Sequence, residues 1–138
     1  MAPSLADRLK AVPLFANLSR RQLTKLVDVG WVGTFNEGKV LCAEGRGGDD
    51  FFVILEGRAL AHRRGRKIRV LKPGDYFGEV ALLDGADRTA SVTTIGPVRC
   101  FLLGRSDFKA ALRESDIAIK LLTTMASRLR AAEELNAD

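Results

Sequence analysis

The sequence predicts a mainly β protein, an antiparallel β-roll of the jelly-roll or double-stranded β-helix type, with helices at its N-terminus and a helical lid at its C-terminus. Three observations predict it. Between Trp31 and Leu103, glycines recur among short apolar runs, at Gly33, Gly38, Gly45, Gly57, Gly65, Gly74, Gly85 and Gly96 among others. Turn signals at a spacing of roughly 8–12 residues mark many short antiparallel strands. The flanking segments, Ser4 to Val29 and Arg105 to Glu134, instead carry apolar residues at helical spacing. The length of 138 residues, 46% hydrophobic and 28% charged, suits one domain, 1–138, with its own core.

The elements follow in order. In the N-terminal helices (1–30), Leu5, Leu9 and Val12 form one face and Pro13 breaks the run. Ser19 caps a second helix, whose face is Leu23, Leu26 and Val27 and which Gly30 ends. The β-roll (31–104) contains Phe51-Phe-Val-Ile-Leu55, Ile68 to Leu71, Ser91 to Ile95 and Val98 to Leu103, with eight strands expected; Arg64-Gly65-Arg66 reads as a hairpin tip. In the C-terminal helices (105–138), Ser106 or Asp107 caps one helix and Ser115 or Asp116 the next. Ile117, Leu121, Leu122, Met125 and Leu129 give the last helix an apolar stripe.

Composition narrows the function. No apolar run approaches the roughly 20 residues of a membrane span. The mixed segment Met1 to Lys10 lacks the apolar core of an export signal, so the expected compartment is the cytoplasm. Cys42 and Cys100 form no Cys-x-x-Cys or Cys/His cluster and read as buried free thiols, with a redox role as the alternative. His62 is the single histidine and reads as a surface strand residue. No metal set and no nucleophile–base pair can be assembled, so neither a metal centre nor an enzyme is expected. The net charge of +5 is concentrated, because Arg58 to Lys72 holds seven Arg or Lys and no acid.

One segment of the roll does not read as strand: Phe77-Gly-Glu-Val-Ala-Leu-Leu-Asp-Gly-Ala-Asp-Arg-Thr-Ala90. It follows the turn Pro73-Gly-Asp75 and opens with helix formers from Glu79 to Leu83, which Gly85 stops. The first amides of such a helix lack intrahelical partners and favour an anion. Gly78 permits close backbone approach, and Arg88 supplies a fork that matches two phosphate oxygens. Glu79 fits beside a phosphate if it accepts a hydrogen bond from a sugar hydroxyl.

At these residues the chain resembles the phosphate-binding cassette of cyclic-nucleotide-binding domains. That family includes the catabolite activator protein, the regulatory subunits of cAMP- and cGMP-dependent kinases, and nucleotide-gated channels. The resemblance extends through Glu44-Gly45, Phe51-Phe-Val-Ile-Leu-Glu-Gly57 and Leu71-x-Pro-Gly-Asp-Tyr-Phe77. It implies a sensor in which Glu79 takes the ribose 2′-hydroxyl and Arg88 the equatorial phosphate oxygens. It further implies that the amides of Ala81 and Ala90 face the phosphate, Gly78 borders the ribose, and Leu71, Phe77 and Val80 form apolar wall. Thr89 offers a hydroxyl near phosphate and base. Asp87 stands where the family often has proline, which suggests a more mobile loop from Asp84 to Asp87.

Other readings stand beside these. Glu79 and Arg88 alternatively form an internal salt bridge, leaving a scaffold domain that ignores nucleotides. The basic hairpin 58–72 reads as a solvated edge strand or as a docking surface for an acidic partner. Nothing resembles a helix-turn-helix, so direct DNA binding is not expected. The ligand is cAMP by family abundance, with cGMP as runner-up because Arg69 and Thr89 are placed to read a guanine edge. No other cofactor is implied. Nucleotide is expected to favour packing of Ile117 to Leu129 toward the site, with Leu122, Met125 and Leu129 as an aliphatic cap. An unidentified effector, or a second copy paired through the last helix, would receive the signal.

Overall fold

The run Phe51-Phe-Val-Ile-Leu55 is apolar at every position because its strand, β3 (Asp50–Glu56), is covered on both faces. Phe52 and Ile54 point into the roll, whereas Phe51, Val53 and Leu55 meet the helices. The neighbouring strand β8 (Val98–Gly104) divides the same way: Val98, Cys100 and Leu102 inward, Phe101 and Leu103 toward the helices. Strict alternation would have exposed one face; a continuous apolar run signals a strand buried on both sides.

A computed structural model describes residues 3–85 and 88–135. Its strands form two four-stranded antiparallel sheets. The first has the order β1 (Trp31–Phe35), β8, β3, β6 (Tyr76–Phe77). The second has the order β2 (Val40–Cys42), β7 (Ser91–Thr94), β4 (Ala59–Arg63), β5 (Arg66–Leu71). The expected eight-stranded roll is therefore present. Phe52 and Phe77 stack inside it with ring centroids 4.7 Å apart, which pins β6 just before the cassette.

Helices close the outer face of the first sheet. Ser4 caps α1 (Leu5–Lys10) and Ser19 caps α2 (Arg20–Val29), each in a reciprocal box with Asp7 or Gln22. Leu9 and Val12 are buried as their spacing suggested, but the helix stops at Lys10 and Pro13 opens a short 3₁₀ turn, Pro13–Phe15. Helix α4 (Arg105–Glu114) sends Phe108 against Phe51, centroids 4.5 Å apart. Fully burying each such ring is worth about 1.5–3 kcal/mol.

Gly30 ends α2 as expected, in an extended conformation, φ −97°, and it serves packing. A Cβ there would run into the Phe101 ring and lie 2.8 Å from the Leu102 carbonyl. Three local expectations need correction. Neither Ser106 nor Asp107 caps α4; both lie inside its first turn, and Gly104 is the cap without a side-chain bond. The hairpin tip is Arg64-Gly65, with φ of 52° and 76°, and Arg66 already belongs to β5. Two left-handed residues in succession match the twist of the flanking strands.

The last correction concerns α5 (Ile117–Leu135). Ile117 and Leu121 are buried and Met125 is half-buried, but Leu122 and Leu129 are 64% and 61% exposed. The helix docks through its first turns, where Ser115 Oγ accepts from the Ile117 amide (3.3 Å) and Lys120 Nζ donates to the Pro13 carbonyl (2.9 Å). The stripe read from sequence is thus split between core and solvent.

Candidate functional site

The site begins at the turn after β5. Asp75 Oδ2 accepts from the Lys72 amide at 2.9 Å, and the Ile54 amide donates to the Asp75 carbonyl at 2.9 Å, so the turn is tied to β3. The chain then passes Phe77 and reverses at Gly78, φ +95°, into the short helix α3 (Glu79–Asp84). Gly85, φ +71°, ends that helix with its amide on the Ala81 carbonyl at 3.0 Å. Both reversals use the left-handed region where a side chain is strained. The segment therefore folds as its glycines and helix formers predicted. Ala86 and Asp87 lie outside the described residues, and with them the expectation about the loop before Arg88.

Arg88 is 8% exposed, and backbone from several segments holds it. Its Nη1 donates to the Gly78 carbonyl and its Nη2 to the Asp50 carbonyl, both at 3.1 Å. Its own amide donates to the Arg46 carbonyl (2.7 Å), and its carbonyl accepts from the Gly45 amide (2.9 Å). Gly48 lies against the guanidinium so closely that a Cβ would collide with it. At Gly78 a Cβ would sit 2.6 Å from Arg88 Nη1 and 2.8 Å from the Asp50 carbonyl. The two glycines thus give the arginine its space, and the loop between β2 and β3 fixes its direction.

Glu79, the first residue of α3, is 5% exposed. It does not pair with Arg88, so the internal salt bridge does not form; its Oε1 instead lies 3.8 Å from Nη1 of Arg128 on α5. Burial pushes the Glu79 carboxyl above the usual carboxylate range, opposed by a backbone hydrogen bond and by Arg128, Arg69 and Arg88. Partial burial is the main influence lowering Arg69, and Arg128 adds to it.

All ten residues nominated from sequence, Arg69, Leu71, Phe77, Gly78, Glu79, Val80, Ala81, Arg88, Thr89 and Ala90, line one cavity of about 230 Å³. Cys42, Arg63, Tyr76 and Arg128 also line it and were not nominated. A signal for Arg128 was available: it shares a helical face with Ile117, Leu121 and Thr124, the face that docks. The expected cap residues Leu122, Met125 and Leu129 are not among the lining residues.

The basic hairpin is exposed along Arg63, Arg64, Arg66, Lys67 and Arg69, and β5 is an edge strand. Its tip also touches the cassette: Arg63 Nε donates to the Thr89 carbonyl at 2.6 Å, and the Arg64 amide donates to Glu44 Oε1 at 2.8 Å. His62 is half-buried, its Nε2 3.0 Å from Thr93 Oγ1. Both cysteines are buried and free, and burial pushes Cys42 up to about 11 and Cys100 up to about 12. Among the described residues no group of three or more His, Cys, Asp or Glu is arranged to hold a metal ion, and no helix is long and apolar enough to cross a membrane.

Comparison with known proteins gives the family. The family model described as cyclic nucleotide-binding domain matches residues 32–115. The cAMP-dependent protein kinase regulatory subunit of Eremothecium gossypii is 38% identical over 107 residues, covering 77% of this chain and 23% of that protein. The cGMP-dependent protein kinase, isozyme 1, of Drosophila melanogaster is 36% identical over 109 residues, covering 73% of this chain and 14% of that one. The chain therefore spans less than a quarter of either relative. Among solved structures, the catabolite activator protein of Thermus thermophilus superposes with a TM-score of 0.80 at 28% identity, over 91% of this chain and 62% of that one. The family match runs from β1 through α4, and it encloses the cassette whose glutamate and arginine meet in one cavity: the chain belongs to the cyclic nucleotide-binding domain family.

Proposed function

We propose that this domain is a cAMP sensor, a binding module rather than a catalyst, whose cavity takes the sugar-phosphate and whose last helix relays occupancy. One observation carries the reading: Glu79 and Arg88 are both buried in the same cavity without neutralising each other. Burying two charges costs folding free energy, and backbone carbonyls on Arg88 with a 3.8 Å contact from Arg128 to Glu79 are a weaker offset than a direct pair between them. That arrangement is compensated by a ligand offering a hydroxyl to the carboxylate and an anionic oxygen pair to the guanidinium. A cyclic nucleotide offers both. Arg88 would take the equatorial phosphate oxygens with the Ala81 and Ala90 amides, and Glu79 the ribose 2′-hydroxyl beside Gly78. Leu71, Phe77 and Val80 would provide the wall.

A guanine reading has its own support, since Arg69 and Thr89 line the same cavity. Relatives described as cAMP-dependent and as cGMP-dependent kinases both match the chain, so family membership does not choose the base. We retain cAMP. The exposed Ile119, Leu122 and Leu129 on α5 leave a surface on which an effector or a second copy of the chain would receive the signal. The test is a thermal melt with cAMP and with cGMP, followed by competition titration. Ligand at 100 times its dissociation constant adds about 2.7 kcal/mol to stability. A melt moved by neither nucleotide would overturn the sensor reading. A tenfold preference for cGMP that Arg69→Ala or Thr89→Ala abolishes would replace cAMP with cGMP.

A further inference from the structure

The peptide unit between Thr89 and Ala90 lies in a bend just before β7, outside every strand and helix. The units before it are held by backbone alone: the Gly45 amide donates to the Arg88 carbonyl at 2.9 Å, and the Arg88 amide to the Arg46 carbonyl at 2.7 Å. The Thr89 carbonyl is instead held by a side chain, Arg63 Nε at 2.6 Å, reaching it from the end of β4. No cis peptide occurs among the described residues. In a planar trans peptide the carbonyl oxygen and the amide hydrogen point in opposite directions. Fixing the Thr89 carbonyl therefore fixes the direction of the Ala90 N–H. Resting on the proposed nucleotide reading, in which that amide faces the phosphate, we infer that Arg63 is a positioning residue. It aims the Ala90 amide at the anion through the Thr89 carbonyl, without itself touching the ligand.

The hairpin tip is tied down in a way that keeps Arg63 in place. Arg64, with φ +52°, is the one non-glycine residue in the left-handed region among those described, and its amide donates to Glu44 Oε1 at 2.8 Å. That conformation is strained for a residue with a side chain, and the carboxylate on its amide offsets the strain. The Glu44 amide in turn donates to Ser91 Oγ at 3.0 Å. Three segments remote in sequence, 44–46, 63–64 and 88–91, thus close around the exit of the cassette. The bond from Arg63 is charge-assisted, and it polarises the peptide so that its N–H becomes a better donor. Blocking edge-to-edge pairing needs only exposed charge. It does not account for an arginine folded back onto the cassette.

Because Arg63 is exposed and makes one such bond, Arg63→Ala should weaken cAMP binding modestly, by about three- to tenfold. Arg63→Lys keeps a cationic donor and should recover most of the loss. Glu44→Gln, which keeps an acceptor for the Arg64 amide, should lose less than Glu44→Ala. The nucleotide-free melting temperature of Arg63→Ala should stay near wild type, since the residue is at the surface. Arg66→Ala removes an equal charge from an exposed position of the same hairpin and should leave affinity nearly unchanged. The amide spectrum reads the aim directly. In wild type, nucleotide should move the Ala90 amide proton downfield, as a short bond to an anion does. In saturated Arg63→Ala that displacement should shrink, while the Ala81 amide on α3 keeps its own.

Calorimetric titration into wild type, Arg63→Ala, Arg63→Lys and Arg66→Ala, with the amide spectrum of each saturated protein, tests this. The nucleotide is cAMP, or cGMP if wild type prefers it, since both carry the same phosphate. Weaker binding in Arg63→Ala, recovered by lysine and accompanied by a smaller Ala90 displacement, supports the inference. Unchanged affinity in Arg63→Ala overturns it, as does an equal loss in Arg66→Ala, which would mean long-range charge alone. Weaker binding with the Ala90 displacement intact also overturns it, because Arg63 would then touch the ligand itself. Each of these leaves the sensor reading standing, whereas a wild-type protein that binds neither nucleotide overturns both.

Discussion

Replacing Arg88 separates a phosphate anchor from a structural tie. Its guanidinium donates two bonds of 3.1 Å, to the carbonyls of Gly78 and Asp50, from a position 8% exposed. Arg88→Ala leaves those acceptors to water, and hydrogen bonds involving a charged group contribute about 1.5–3 kcal/mol each. Some of that returns through hydration, so the domain should lose about 2–4 kcal/mol of stability. Binding should lose about 2–5 kcal/mol, because a buried phosphate would be left without its partner. That is a drop of roughly 30- to several-thousand-fold in affinity. Arg88→Lys should fall between, since an ammonium restores the charge but cannot span both carbonyls and two phosphate oxygens together. Calorimetric titration with cAMP, paired with a thermal melt of each variant, measures both quantities. A folded Arg88→Ala protein that binds cAMP as tightly as wild type would refute the reasoning.

Other expectations are separate. Because burial raises the Glu79 carboxyl above its ordinary value of 4.5, the folded state holds that proton more tightly than the unfolded chain. The associated stability is full below that ordinary value and is lost as pH rises through the raised one. A pH series of melts without nucleotide should therefore show wild type falling relative to Glu79→Gln as pH increases. Equal slopes would remove the assignment. Glu79→Ala should also weaken cAMP by about 1.5–3 kcal/mol and erase the preference for 2′-hydroxyl over 2′-deoxy nucleotide, as competition titration would show. Gly78→Ala puts a side chain at φ +95° beside Arg88 and should cost about 1–3 kcal/mol in a denaturant melt, with binding weakened as well. With thiols raised to about 11 and about 12, Cys42 and Cys100 should resist a thiol reagent at neutral pH until the domain unfolds; rapid native labelling would contradict their burial.

The β-roll was legible because its signals are local. Gly78 and Gly85 sit where the backbone must turn left-handed around α3, and the neighbouring residues are good helix formers, so the cassette is specified within one stretch of chain. The apolar run at Phe51 to Leu55 likewise announces a strand covered on both sides. Gly30 was legible as an end of helix α2 but not in its reason, which is the Phe101 ring arriving from β8. A capping residue read from type alone failed at Ser106 and Asp107, because helix α4 starts directly out of β8 at Gly104 and places them two and three positions past the cap.

What the sequence determined by itself was the cassette and ten of the residues that line the cavity: residues spread over 69–90 reach it because strand, turn and short helix place them there in order. What only the tertiary structure decided was the partner of each buried charge. Arg88 is directed by carbonyls of Gly78 and Asp50, and Glu79 by Arg128, contacts that depend on how separate elements dock. The last helix shows the physical reason most clearly. Helical periodicity places Leu122 and Leu129 as readily on a buried stripe as Ile117 and Leu121, and repeats every turn whichever face is buried. The roll and α1–α4 bury the face of Ile117 and Leu121 and leave the other in solvent. That choice brings Arg128, rather than an aliphatic cap, to the cavity.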